Sequence, residues 1–149
     1  MVQLLWLIPA LPFAGFVILA PAGARMSRRL IAVTGVGTIG ASAVLTAWIT
    51  AGFLHGLPDR LAYSQIVWSW LAVGGLKVGF SIYLDALTLT MMLVVNGVGF
   101  FIHLYAAEYM AEDEGFSRFF AYMNLFVCAM LILVMADNLL LLYLGWEGV

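Results

Sequence analysis

Glu147 is the residue whose type and position could do chemistry. It follows nine uncharged and mostly apolar residues that begin at Asn138. Asp137-Asn138 is typical of a helix N-cap, because Asn and Asp side chains accept hydrogen bonds from the first free amides of a helix. At about 1.5 Å per residue, Glu147 would lie roughly 13 Å beyond that cap, near the middle of a membrane core about 30 Å thick. The sequence therefore predicts a buried, ionisable carboxyl inside a membrane span.

A carboxyl in hydrocarbon is costly and indicates a functional site. Loss of water disfavours its charged form, so the group can load and unload a proton near neutral pH. We predict that Glu147 is a proton relay; a neutral glutamate that pairs two helices is the structural alternative. A relay needs a basic partner or a polar chain to carry the proton onward, and the other predicted spans contain no Lys or Arg. Either that partner lies elsewhere in a longer protein, or Glu147 is not a relay.

The end of the sequence favours the longer protein. The chain stops two residues after Glu147. A helix that ended there would leave its last carbonyls without hydrogen-bond partners in hydrocarbon. We therefore expect these residues to be the N-terminal part of a larger protein, with the fifth span incomplete.

Two further polar residues fall within the third apolar run. His103 lies about a turn and a half before Glu108, which places it near a membrane interface. It could relay protons or be a tethered interfacial histidine. Asn96 lies at about mid-membrane, where it could hydrogen-bond a neighbouring helix or line a hydrated path. Both residues are therefore candidates for a secondary polar path.

The remaining polar residues indicate neither a metal site nor a redox site. The single cysteine, Cys128, can form neither an internal disulfide nor a zinc or redox pair. Asp85 starts the third helix, where the helix dipole and the free amides of the first turn favour a carboxylate. An acidic loop offers no fixed cage for a metal and is explained as a solvated loop; its carboxylates are Glu108, Glu112, Asp113 and Glu114.

Composition decides the class of protein. The chain is 65% hydrophobic and only 9% charged, whereas a soluble domain has about 25% charged residues. We predict an all-α polytopic membrane protein with about five transmembrane helices, the last one truncated. The predicted helices are 2–22, 30–54, 86–107, 119–136 and 138–149.

Residues 64–84 follow a different period. From Leu76 to Leu84, apolar residues alternate with small or polar ones, which is a strand pattern. Gly74-Gly75 provides a two-residue turn. The sequence predicts a β-hairpin outside the bilayer.

Three arginines orient the chain. Arg25, Arg28 and Arg29 form the only dense basic cluster, and short loops rich in Lys and Arg stay cytoplasmic. This predicts an extracytoplasmic N-terminus, an extracytoplasmic hairpin and a cytoplasmic loop at 108–118.

The segment 35–40 matches a dinucleotide fingerprint, with Asp59 at a suitable distance beyond it. A helix after these glycines would have no charged, solvent-facing side, so nucleotide binding is rejected. We interpret the pattern as close helix packing through small residues such as Gly37 and Ala41.

Longer motifs carry a family resemblance. The sequence reads FIHLYA at 101–106, GFSRFFAY at 115–122, ADNLL at 136–140 and GWEGV at 145–149. These segments resemble chain L of bacterial NADH–quinone oxidoreductase, the counterpart of mitochondrial complex I subunit 5. The match is dense from about residue 83 onward. The final glycine and valine favour chain L over its sibling chains and over multisubunit sodium/proton antiporters.

The resemblance implies a proton-translocating, antiporter-like subunit in which Glu147 corresponds to the key glutamate of the fifth helix. In that family the glutamate pairs with a lysine on a later helix. The resemblance also implies that this chain binds no cofactor of its own. It places the NAD, FMN, iron–sulfur and quinone sites in other subunits, and the partners are membrane subunits of complex I, lipid and protons.

Three functions compete on the sequence. The first is a complex I subunit in a bacterial inner membrane, and the second is an antiporter subunit without a redox partner. The third is a membrane scaffold in which Glu147 is only a helix clamp.

Overall fold

The fold is given by a computed structural model that describes residues 2–55, 62–74 and 76–149. Five helices and one two-stranded antiparallel sheet are present in these ranges. The helices are α1 (Leu7–Ala22), α2 (Arg28–His55), α3 (Ala86–Tyr109), α4 (Phe116–Met135) and α5 (Leu139–Gly148). The strands are β1 (Ala62–Val73) and β2 (Leu76–Asp85), and short 3-10 turns cover Val2–Leu4 and Gly23–Arg25. The predicted fold class is confirmed.

Among the described residues, four helices are long and apolar enough to cross a membrane, namely α1 to α4. Helix α5 is apolar but shorter. Helix bounds differ from the apolar runs by up to five residues, as at α1, which begins at Leu7. The reason is that an apolar run reports the thickness of the hydrocarbon, whereas a helix ends where its backbone hydrogen bonds end. Accordingly, α2 and α3 include polar residues beyond their apolar runs.

The hairpin forms where alternation predicted it. Its register pairs Ala62 with Asp85 and Val73 with Leu76. Gly74 has a φ of +60°, a conformation that glycine adopts without strain; Gly75, the other predicted turn residue, lies outside the described residues. Ile82 and Leu84 are buried against the helices, so the apolar face of β2 covers one end of the bundle.

The fingerprint at 35–40 lies within the uninterrupted helix α2, so the strand, turn and helix that a dinucleotide site requires are not formed. Asp59 lies outside the described residues. The packing interpretation was wrong in its details, because Gly37 is exposed and a Cβ built on it meets nothing within 4 Å. The close contacts are made instead by Gly35, whose Cβ would lie 2.6 Å from Phe120, and by Gly15 on α1.

Arg28 of α2 contacts the loop between α3 and α4. Its guanidinium donates to the carbonyl of Ala111 and, at 2.9 Å, to that of Asp113. It also lies 5.7 Å from the centre of the Phe116 ring. The basic cluster and the α3–α4 loop therefore lie at the same end of the bundle, and the hairpin lies at the other end of α3.

Candidate functional site

Glu147 lies in the last turn of α5 and points away from the bundle. Leu141 and Gly145 are buried on the face of α5 that contacts α4. Glu147 is two residues beyond Gly145, which is about 200° around the helix, so its side chain is on the opposite face. The described residues leave Glu147 exposed. The burial expected from the sequence is therefore not produced by the elements that the structure describes.

Helix α5 packs against α4 through glycine residues. A Cβ on Gly145 would lie 2.6 Å from the backbone nitrogen of Leu133 and 2.7 Å from its Cα. A Cβ on Gly148 would lie 2.8 Å from the Cβ of Ala129. These contacts show that the two backbones approach as closely as glycine allows. Gly145 and Gly148 thus provide close helix packing beside Glu147.

The outward face of α5 is apolar around its single carboxyl. Trp146 is 68% exposed and Tyr143 is 59% exposed. The Tyr143 side chain lies beside Glu147, one helical turn away. The Glu147 carboxyl therefore lies on a face of α5 whose exposed neighbours are aromatic and aliphatic.

The start of α5 is capped as the sequence predicts. The amide of Leu141 donates to the side-chain oxygen of Asn138 at 2.9 Å. Asn138, rather than Asp137, is therefore the N-cap residue. Its side-chain nitrogen, Nδ2, donates a hydrogen bond to the carbonyl of Gly79 in the hairpin.

His103 on α3 is packed inside the bundle. Its side chain is fully buried, and its ring lies 6.1 Å from that of Phe120 in an edge-on arrangement. Its Nδ1 lies 2.7 Å from the carbonyl oxygen of Gly99. A carbonyl only accepts hydrogen bonds, so Nδ1 carries a proton. Nε2 is buried and has no partner among the described residues.

Asn96 makes the interhelical hydrogen bond that was one of its two predicted roles. Its Nδ2 donates to the hydroxyl oxygen of Thr46 on α2 at 2.9 Å. The Thr46 hydroxyl donates its own proton to the carbonyl of Ser42, so it must accept from Asn96. This fixes the orientation of the amide and leaves its Oδ1 buried without a donor among the described residues. Asn96 and His103 therefore each have one polar atom on the buried face of α3 that no described residue hydrogen-bonds.

A second buried amide, Asn124 on α4, was missed by sequence reasoning. It donates to the carbonyls of Phe120 and Gly35 and accepts from the hydroxyl of Thr38 at 2.7 Å. The signal that could have found it is a row of hydroxyls at every fourth residue of α2, which are Thr34, Thr38, Ser42, Thr46 and Thr50. Such spacing puts them on one helix face. Both buried amides, Asn96 and Asn124, therefore hydrogen-bond to α2.

The candidates fall into two groups. Asn96 and His103 lie inside the bundle, whereas Glu147 lies on its outer surface. No hydrogen bond among the described residues joins Glu147 to either of them.

Across residues 2–55, 62–74 and 76–149, no group of three or more His, Cys, Asp or Glu side chains could hold a metal ion. Asp85 caps α3 by accepting from the amide of Thr88 at 2.7 Å.

Comparison with known proteins identifies the family. A family model described as NADH-Ubiquinone oxidoreductase (complex I), chain 5 N-terminus, matches residues 70–120. NADH-quinone oxidoreductase subunit L of Escherichia coli is 52% identical over 139 residues, which cover 93% of this chain and 22% of that protein. The chain belongs to the subunit L family.

Other members of the subunit L family give the same result. Subunit L of Pseudomonas aeruginosa is 50% identical over 138 residues, with 93% of this chain and 22% of that protein covered. Subunit L of Mycobacterium tuberculosis is 42% identical over 151 residues, with coverages of 97% and 23%. The chain thus spans under a quarter of the length of these relatives. The family model includes Asn96 and His103 and ends before Glu147.

Proposed function

We propose that this chain is the N-terminal part of a proton-translocating membrane subunit of NADH–quinone oxidoreductase, with Glu147 as its proton relay. The observation that carries the proposal is the position of one carboxyl on an apolar helix face that α4 leaves uncovered. The similarity to subunit L proteins supports the assignment to this complex rather than to an independent antiporter.

The relay works by a change in the charge of Glu147. Its carboxylate binds a proton and becomes neutral, and it releases the proton when a nearby positive charge favours the anion. Such a charge acts strongly in a medium of low dielectric constant. The resemblance to chain L implies a lysine on a later helix as that charge, and we propose that its helix covers the exposed face of α5. The test is to replace Glu147 by glutamine in the full complex and to measure proton pumping.

The redox chemistry lies elsewhere in this proposal. The NAD, FMN, iron–sulfur and quinone sites belong to other subunits, and this chain contributes proton movement in a bacterial inner membrane. Its partners are the neighbouring membrane subunits, lipid and protons.

We propose His103 and Asn96 as a secondary polar path. Nε2 of His103 can accept a proton while Nδ1 keeps the one that it donates to Gly99. The Oδ1 of Asn96, which has no donor in the part of the chain that the structure describes, can accept from a proton carrier such as water. The two residues are seven positions apart on α3, which places them on the same face about two turns apart.

Replacing His103 by glutamine should lower proton pumping by about threefold. This loss is smaller than the contribution of an essential proton-transfer group, about 100-fold or more, because we propose that His103 lies on a secondary path. Glutamine is polar but cannot exchange a proton near neutral pH. Pumping in membrane vesicles, normalised to assembled complex, is the measurement. His55→Gln, the same change at an exposed histidine, is the control and should pump normally. Normal pumping by His103→Gln would leave His103 with a packing role only.

We propose that the N-terminus is extracytoplasmic. Replacing Arg25, Arg28 and Arg29 together by glutamine should produce a mixture of orientations, because the basic cluster sets the topology. Ala62→Cys and Glu114→Cys, introduced separately, report opposite ends of α3, and Cys128 is buried. A membrane-impermeant thiol reagent should label position 62, and not 114, from outside in the native background. Unchanged labelling after the arginines are removed would show that another feature sets the orientation.

A further inference from the structure

The hairpin is hydrogen-bonded to the turn between α4 and α5. Nδ2 of Asn138 donates to the carbonyl of Gly79 at 2.9 Å and lies 3.4 Å from the hydroxyl of Ser81. The amide of Asp137 donates to the carbonyl of Ser81 at 3.2 Å. The hydroxyl of Ser64 donates to the Asp137 carboxylate at 2.7 Å. Both strands therefore hold the two residues that precede α5.

Asn138 performs two tasks with two different atoms. Its Oδ1 accepts from the amide of Leu141 and caps α5, whereas its Nδ2 donates to Gly79 on β2. Serine and aspartate are also good N-cap residues. Neither of them provides a side-chain N–H that reaches the hairpin while its oxygen caps the helix. The asparagine therefore links the helix cap to the strand, which a cap alone does not require.

Strand β2 is packed into the same hydrophobic core as α4. Ile82 and Leu84 are buried in the same core cluster as Leu131 and Met135 of α4. Ile82 also forms an isolated antiparallel bridge with Ala136. Since β2 is held by this core, a bond from β2 to Asn138 holds the first turn of α5 at a defined height along the helix axis.

We propose that Asn138 is a positioning residue that sets the height of Glu147 along the axis of α5. It does so through the hydrogen bond from its Nδ2 to Gly79 of the hairpin, which we call the latch. Glu147 is nine residues further along α5, about 13 Å at the helical rise, and a short helix transmits an axial shift from one end to the other. Apolar contact with α4 through Gly145 and Gly148 gives close approach, whereas the hydrogen bonds to β2 are directional. This inference rests on the proposed role of Glu147.

The test compares three substitutions of Asn138 in the full complex. Asn138→Ser and Asn138→Asp keep the cap and remove the Nδ2 bond to Gly79, whereas Asn138→Ala removes both; the bonds of Asp137 to Ser81 and Ser64 remain in all three. Both cap-retaining variants should assemble and should pump about tenfold less than the native complex, because misplacement of a reacting group by about 1 Å can cost as much as about 100-fold. Asp85→Ser is the matched control: Asp85 is a cap whose only side-chain hydrogen bond among the described residues is to the α3 amide. It should pump normally.

A double substitution separates positioning from general stability. If the latch acts through Glu147, Asn138→Ser should cause no further loss of quinone reductase turnover in a Glu147→Gln background. A purely structural role would lower turnover in both backgrounds. That result overturns the inference, as does normal pumping by both cap-retaining variants. Should Glu147→Gln itself pump normally, the relay proposal fails, and a loss caused by Asn138→Ser would then belong to another group on α5.

Discussion

Replacing Glu147 by glutamine should leave the complex assembled and lower its proton pumping by about tenfold or more. Glutamine has nearly the same shape and can hydrogen-bond, but it cannot exchange a proton near neutral pH. Proton transfer by a positioned side chain typically contributes about 100-fold to 10,000-fold, so a loss of this size is expected from a relay. Quinone reductase activity and ΔpH formation in membrane vesicles, normalised to assembled complex, provide the measurement.

Two further variants make this result specific. Glu147→Asp keeps the acid but withdraws it by one methylene, so it should retain more activity than Glu147→Gln. Glu114→Gln removes a carboxylate from the exposed α3–α4 loop and should pump normally. Native pumping by Glu147→Gln would contradict the relay and favour the helix clamp.

Replacing Gly145 by alanine should displace α5 and reduce the amount of assembled complex. The new Cβ would lie 2.6 Å from the Leu133 nitrogen and 2.7 Å from its Cα, whereas carbon atoms in contact are normally about 3.5–4.0 Å apart. The obstacle is backbone, which no rotamer change can move, so α5 itself must shift by about 1 Å. Overpacking of this kind costs about 1–3 kcal/mol. Native gels give the assembled amount, and vesicle assays give pumping by the complex that does assemble.

Gly37→Ala is the control for this substitution. It makes the same change within a helix, and its Cβ meets nothing within 4 Å. Any general effect of exchanging glycine for alanine in a helix is therefore shared by both variants. The idea that α5 is held by glycine packing would be wrong if Gly145→Ala assembled and pumped as well as Gly37→Ala.

Local features of the chain could be predicted because their signals are local. Uncharged runs of about 20 residues reveal membrane spans, since the thickness of hydrocarbon sets their length. Alternation from Leu76 to Leu84, followed back to Gly74-Gly75, predicts the hairpin that the structure has. Asn138 was expected in the cap because an N-cap depends only on the amides that immediately follow it.

The direction in which each helix faces could not be predicted in the same way. In a membrane, both lipid and the protein interior are apolar, so a helix shows little periodic difference between its inner and outer sides. Gly37 was therefore taken for a packing residue in place of Gly35, and Asn124 was missed. Nor did the sequence indicate that His103 is fully buried within the bundle.

The sequence by itself determined the helical membrane fold class, the hairpin, the family and the single carboxyl of α5. Only the tertiary structure decided which side chains meet: Asn96 with Thr46, Asn138 with Gly79, and Gly145 with the backbone of Leu133. These pairs join residues on different elements, and the rotation and height of each helix determine whether they come within reach. Rotation and height result from close contacts and directional hydrogen bonds among all the packed helices, which no single segment encodes.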